Sequence, residues 1–150
     1  MLKAGLIIAG SAVAVVGIGA VVGIPMAQEW LDGRHQQESR YDTGRDAKAD
    51  RASMPGWLPD GTTQVRYKMK TTGGDRLLVA QLPDGRLPAE CAPAVGHHRP
   101  KMTADWFPKG VTRKAKVKCG TYSGYVDGRK LVAWQTHDAW LQQERATAPR

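Results

Sequence analysis

Isoleucine is absent from this chain after Ile24, phenylalanine occurs once, at Phe107, and cysteine only twice, at Cys91 and Cys119. Leucine is also sparse beyond the N-terminal run, so any folded part downstream has only a small apolar core. The cysteines form no CxxC pair, and no His/Cys spacing matches a zinc module, so neither a metal nor a cofactor is expected. No internal repeat or low-complexity tract is visible, which argues against a repeat architecture. Apart from Tyr67, aromatics do not interleave with the basic runs and no recognition fold is legible, so nucleic acid is not an expected partner. Ser123 sits in "YSGY" rather than in a nucleophile elbow.

What is present begins with "GLIIAGSAVAVVGIGAVVGIPM", where Ser11 is the only polar side chain. A helix from Ala4 to Ala27 would be about 36 Å long at 1.5 Å per residue. That spans a hydrocarbon core of roughly 30 Å with modest tilt. Its glycines and β-branched residues make a poor helix in water, but lipid leaves the backbone no alternative. A cleaved signal has a shorter apolar region and then a small-x-small site. Here cleavage after Ala27 would put Pro25 in an unfavourable position, and Ala12-Val13-Ala14 comes too early. We therefore read residues 1–27 as an uncleaved signal-anchor, with secretion after signal cleavage as the alternative and a buried core helix as the weakest reading. Trp30 suits the membrane interface, and Gly19-x-x-x-Gly23 suits helix pairing within the span.

Orientation has arguments on both sides. Lys3 alone precedes the span, whereas Arg34, Arg40 and Arg45 follow it, and that count favours a cytoplasmic C-terminal side. The short lead ending in Lys3 resembles a secretory n-region instead. The cysteines decide for the outside. A Cys91–Cys119 disulfide would close a loop of roughly 30 residues and contribute about 3.6 kcal/mol on the chain-entropy model. Such bonds persist outside the cytoplasm. The alternatives are unpaired buried thiols, or a metal site recruiting His97, His98 or His137.

Residues 28–56 are polar and mixed in charge with no apolar period, and are expected to form a flexible stalk. Pro55-Gly56 and Pro59-Asp60-Gly61 then mark entry into a domain over 57–150. Within it "QVRYKMK" and "KAKVKCG" alternate with a period of two, the second setting Ala115, Val117 and Cys119 on one face. "RLLVAQL" is another strand, flanked by the Thr72–Asp75 and Pro83–Gly85 turns. "YVDGRKLVAW" carries the Asp-Gly hairpin signal. Residues 87–110 read as a long loop with one helical turn near "TADWF". "HDAWLQQERA" reads as a short helix, capped by Asp138, with Trp140 and Leu141 facing the sheet. The expected fold is α+β: an antiparallel sheet of four or five strands with a C-terminal helix.

The succession of "WLPDG", "DRLLVAQLPDG", "LPAECAP", "ADWFP", "KCGTY" and "VDGRKLVAWQ" over residues 55–145 resembles uncharacterised membrane-anchored or secreted proteins of high-GC Gram-positive bacteria. The resemblance implies a small extracytoplasmic domain with one disulfide. It brings no activity and no catalytic residue with it.

Charge is uneven along the chain. Of 22 Lys and Arg and 14 Asp and Glu, residues 1–60 hold 6 and 7, leaving 16 and 7 for residues 61–150. Arg66, Lys68 and Lys70 on one strand, and Lys114, Lys116 and Lys118 on another, would form a basic platform if the strands share a face. Such a field concentrates lipid headgroups, anionic wall polymer or an acidic membrane-protein partner. It also reads as a solvated face that discourages edge pairing. The acids Asp75, Asp84, Asp105 and Asp127 lie at turns, where Asp serves the backbone. The expectation is a single-pass, extracytoplasmic, non-catalytic binding or accessory module of the cell envelope. The alternative is a small envelope hydrolase whose site lies in the 87–110 loop around His97, His98 and Asp105.

Overall fold

The computed structural model describes residues 33–149. The anchor expected over residues 1–27 lies outside them, and among the described residues no helix is long and apolar enough to cross a membrane. The strands are β1 (Gln36–Thr43), β2 (Thr63–Lys70), β3 (Arg76–Gln81), β4 (Cys91–Pro93), β5 (Val117–Cys119), β6 (Tyr122–Asp127) and β7 (Lys130–Gln135). Helices are α1 (Gly44–Asp50), the single turn α2 (Val111–Lys114) and the C-terminal α3 (His137–Thr147). All seven strands form one antiparallel sheet in the order β1-β2-β3-β7-β6-β5-β4.

Hydrophobic pattern follows position in this sheet. β3 and β7 lie at the centre with both faces covered, so they read as nearly continuous apolar runs. β2 is next to the edge strand and alternates, with Val65 and Tyr67 buried and Arg66 and Lys68 on the opposite face. Two hairpins use the same device. Gly120 (φ 60°) and Gly128 (φ 63°) occupy the first central position of two-residue turns, where positive φ favours glycine.

Each face has its own core. On the first, Val65, Tyr67, Leu78, Leu82, Leu131 and Cys119 pack beneath Ala47, Met54 and Leu58, which come from α1 and the segment after it. On the second, Leu77, Val79, Tyr125, Val132 and Trp134 pack beneath Met102, Phe107 and Val111. The two covers arise from stretches with opposite sequence signatures, one polar and charged, the other rich in proline and glycine.

The stalk expected over 28–56 is therefore corrected from Gln36 onward, residues 28–32 lying outside the described part. β1 pairs along its length with β2, Gln36 opposite Lys70 and Thr43 opposite Thr63. Thr43 caps α1 by accepting from the Asp46 N–H at 3.1 Å. Ala47 and Met54 are buried, and the compact unit begins at Gln36 rather than at residue 57. Backbone pairing and side-chain hydrogen bonds hold β1, so it needs no apolar alternation. For the same reason the four or five expected strands are seven: β1 and the three-residue β4 carry no periodic apolar signal.

Two local expectations also shift. "KAKVKCG" is a strand only from Val117, because Lys114 ends α2 and Ala115 caps it. Ala115 packs with the second core, whereas Val117 and Cys119 belong to the first. In α3 the cap is Thr136, whose hydroxyl accepts from the Ala139 N–H at 3.3 Å, and Asp138 sits in the first turn. No α3 residue is fully buried. The helix is attached through its beginning: the Gly74 N–H donates to His137 Nδ1 at 3.0 Å, and the His137 N–H donates to Asp75 Oδ1 at 3.0 Å. Trp140 stacks on the His137 ring and lies against Gly74, while Leu141 is half-buried.

Candidate binding site

Cys91 and Cys119 stand directly opposite each other on β4 and β5 and are joined by a disulfide. The bond consumes both thiols, which removes them as metal ligands. It ties the short edge strand to the sheet, where β4 makes only three residue pairs.

Lys118 on β5 does share a sheet face with Arg66, Lys68 and Lys70 on β2, but Lys114 and Lys116 lie outside the strands and the two sets form no single platform. β3, β7 and β6 separate β2 from β5, a distance of about 19 Å at 4.8 Å per strand. Between them rises the apolar second core with its cover. Lys68 is part of that cover's attachment: its Nζ donates to the Thr103 carbonyl at 2.8 Å and lies 3.4 Å from Glu38, with 13% of the side chain exposed. Arg66 lies opposite Arg40, and Lys70 opposite Gln36. Lys114 sits in α2 with its Nζ 5.8 Å from the centroid of the Tyr125 ring, a cation–π distance. Lys116 is exposed, its backbone joined to Gly124 and Ala94. Lys118 is exposed between Ala92 and Ser123.

The cover of the second core opens into a cleft of about 1010 Å³. Met102, Phe107 and Val111 form its buried floor. Arg99, Lys109 and Arg113 lie around it, all exposed, against the single carboxylate of Asp105. Opposite-face burial explains the arrangement: the segment turns its apolar residues down onto Trp134 and Val132 and leaves its cations in water. An apolar floor with convergent charges suits a ligand with an anionic group and an apolar portion. Sequence alternation could not reveal these three cations, because Arg99 and Lys109 lie in a loop and Arg113 lies in the single turn α2. The available signal was their recurrence among Pro100, Pro108 and Gly110, beside Trp106 and Phe107.

A smaller, polar cleft of about 310 Å³ lies at the end of the same face near α3. His98, Lys118, Ser123 and Gln142 line it. Thus His98 and Asp105 line different clefts, and His97 turns its Nε2 to the Ala94 carbonyl at 2.9 Å. The three residues of the envisaged hydrolase site are not brought together.

Two phenols near these elements are electrostatically perturbed. Burial holds the Tyr122 hydroxyl well above its ordinary range, and neighbouring Tyr67 adds to the effect. Burial also raises Tyr125, with the Asp127 charge contributing. Both phenols remain neutral at ordinary pH. No protein-family model, curated protein or solved structure matches this chain.

Proposed function

We infer that the chain is a membrane-anchored, extracytoplasmic module of the cell envelope that binds an anionic partner rather than catalysing a reaction. One observation carries this reading: the cleft over Met102, Phe107 and Val111 is bordered by Arg99, Lys109 and Arg113 with one opposing carboxylate. Three cations converging on low-dielectric walls raise the local concentration of anions. The exposed Lys114, Lys116 and Lys118 add positive charge on neighbouring elements, with Arg66 and Lys70 beyond the covered centre. An oxidised cysteine pair supports placement outside the cytoplasm. The apolar run at residues 4–27 supports the anchor.

The experiment compares the full-length protein, in neutral detergent, for binding to polyphosphate and to uncharged dextran at low salt. Wild type binds polyphosphate with an affinity that falls as salt screens charge over about 8–10 Å. The Arg99→Gln/Lys109→Gln/Arg113→Gln variant loses most of this binding. The Lys114→Gln/Lys116→Gln/Lys118→Gln variant loses less if the cleft is the site, and more if the stripe is. Equal binding of wild type to polyphosphate and dextran would refute the anion-binding reading.

A further inference from the structure

The two edges of the sheet are built differently. β4 has three residues, ends in Pro93 and is stapled by the disulfide, all features that blunt an edge against pairing. β1 has eight residues with no proline or lysine, and among the described residues no strand lies on its outer side. Its side chains on the second face are Gln36, Glu38, Arg40 and Asp42, alternating in sign from Glu38 onward.

We propose that β1 pairs with β1 of a second copy of this chain, antiparallel about Ser39, joining two seven-stranded sheets. Antiparallel partners must point to the same face, so a two-fold pairing of identical strands centres on a residue. Centring on Glu38 opposes Glu38 to itself. A centre at Arg40 sets Arg40 against itself and Glu38 against Asp42. Centring on Ser39 puts Glu38 of each copy opposite Arg40 of the other, twice, and overlaps the strand almost completely. Centring on Tyr41 also opposes unlike charges, Arg40 to Asp42, but with a shorter overlap.

A conflict within one copy favours the Ser39 register. Arg40 lies directly opposite Arg66 on β2, and like charges so placed destabilise a sheet. In the pair, the second copy's Glu38 lies on the other side of Arg40 and offsets that repulsion. This pairing stands independently of the anion-binding reading.

The test uses full-length protein in membranes, with Ser39→Cys as a reporter at the two-fold centre. Cys91 and Cys119 already bond from directly opposed positions on neighbouring strands of this sheet. Mild oxidation is expected to give a crosslinked dimer, and Tyr41→Cys much less of it. In the Ser39→Cys background, Glu38→Arg alone or Arg40→Glu alone sets like charges opposite each other across the pair. Each is expected to lower the dimer yield at least about fivefold, given the energies of cross-strand charge pairs. Co-expressing the two reversals with different tags restores unlike charges at both positions and recovers a mixed dimer. A variant that had lost its fold would not be rescued in this way. Absence of the Ser39→Cys crosslink, unchanged yields in the single reversals, failure of the mixture to recover, or crosslinking only to a different protein would each overturn the proposal.

Discussion

Arg51 donates from Nη1 to Gln37 Oε1 at 2.7 Å, bridging the start of β1 to the segment that follows α1. The same guanidinium reaches Ser39 Oγ at 3.1 Å and the Tyr41 hydroxyl at 3.3 Å. Gln37, Ser39 and Tyr41 are alternate residues on one face of the edge strand, so one planar fork spans three of them. Tyr41 in turn donates to Asp50 Oδ2 at 2.6 Å. Few apolar side chains hold this strand, and the network makes up part of the difference.

Arg51→Ala should therefore loosen β1 specifically. The expected loss is about 1–2 kcal/mol, because each hydrogen bond contributes only modestly and the site is partly exposed. Arg51→Lys should recover little, since an ammonium cannot reproduce the fork. Denaturant titration with hydrogen exchange across residues 36–43 checks this. Unchanged protection in Arg51→Ala would mean that backbone pairing alone holds the strand.

The Cys91–Cys119 bond predicts both a compartment and a stability. Alkylation without reductant, on protein taken directly from cells, should leave neither cysteine labelled. If the proposed anchor holds, protease added to intact spheroplasts should digest residues beyond about 57 while a cytoplasmic control survives. Cys119→Ala should cost about 2–5 kcal/mol, read by denaturant titration. Two labelled cysteines together with full protease protection would place the domain inside.

Lysines of similar appearance in the sequence should behave differently on substitution. Lys68→Ala removes a bond to the Thr103 carbonyl and the contact with Glu38, and should cost about 1–2 kcal/mol. Lys116→Gln and Lys118→Gln should each stay within about ±0.5 kcal/mol, as exposed surface changes usually do. Equal effects at Lys68 and Lys118 would contradict the role assigned to Lys68.

The buried Tyr122 phenol sets an alkaline limit. Its folded-state value lies well above the ordinary 10.0, so the unfolded chain loses this proton first. Tyr122 therefore subtracts nothing below pH about 10, and stability falls as pH rises beyond it. Tyr122→Phe should make the alkaline unfolding limb shallower, measured by denaturant titration from pH 8 to 11. An identical limb in both proteins would assign the alkaline transition to other groups.

Several elements were legible because their side chains obey a period. β2 alternates Val65 and Tyr67 with charged neighbours, β3 is a bounded apolar run, and Asp127-Gly128 announces the β6–β7 hairpin. The even cysteine count favoured a Cys91–Cys119 bond over free thiols or a metal site, and the structure shows that bond. β1 escaped detection because an edge strand under little apolar cover carries no period. One local sign was nevertheless available: Thr43-x-x-Asp46 has the spacing of a helix N-terminus, and Thr43 does cap α1.

By itself, the sequence determined the α+β class and the central strands, since each depends on local pattern; it favoured the disulfide, which the opposed positions of Cys91 and Cys119 on β4 and β5 decided. Only the tertiary structure decided which charges are free. Lys68 and Lys118 look alike along the chain, but one fastens a loop and the other lines a cleft. The same holds for Arg99, Lys109 and Arg113, whose convergence arises from how a proline-rich segment lies across Val132 and Trp134. A side chain's exposure depends on what packs over it, and residues distant in sequence supply that cover.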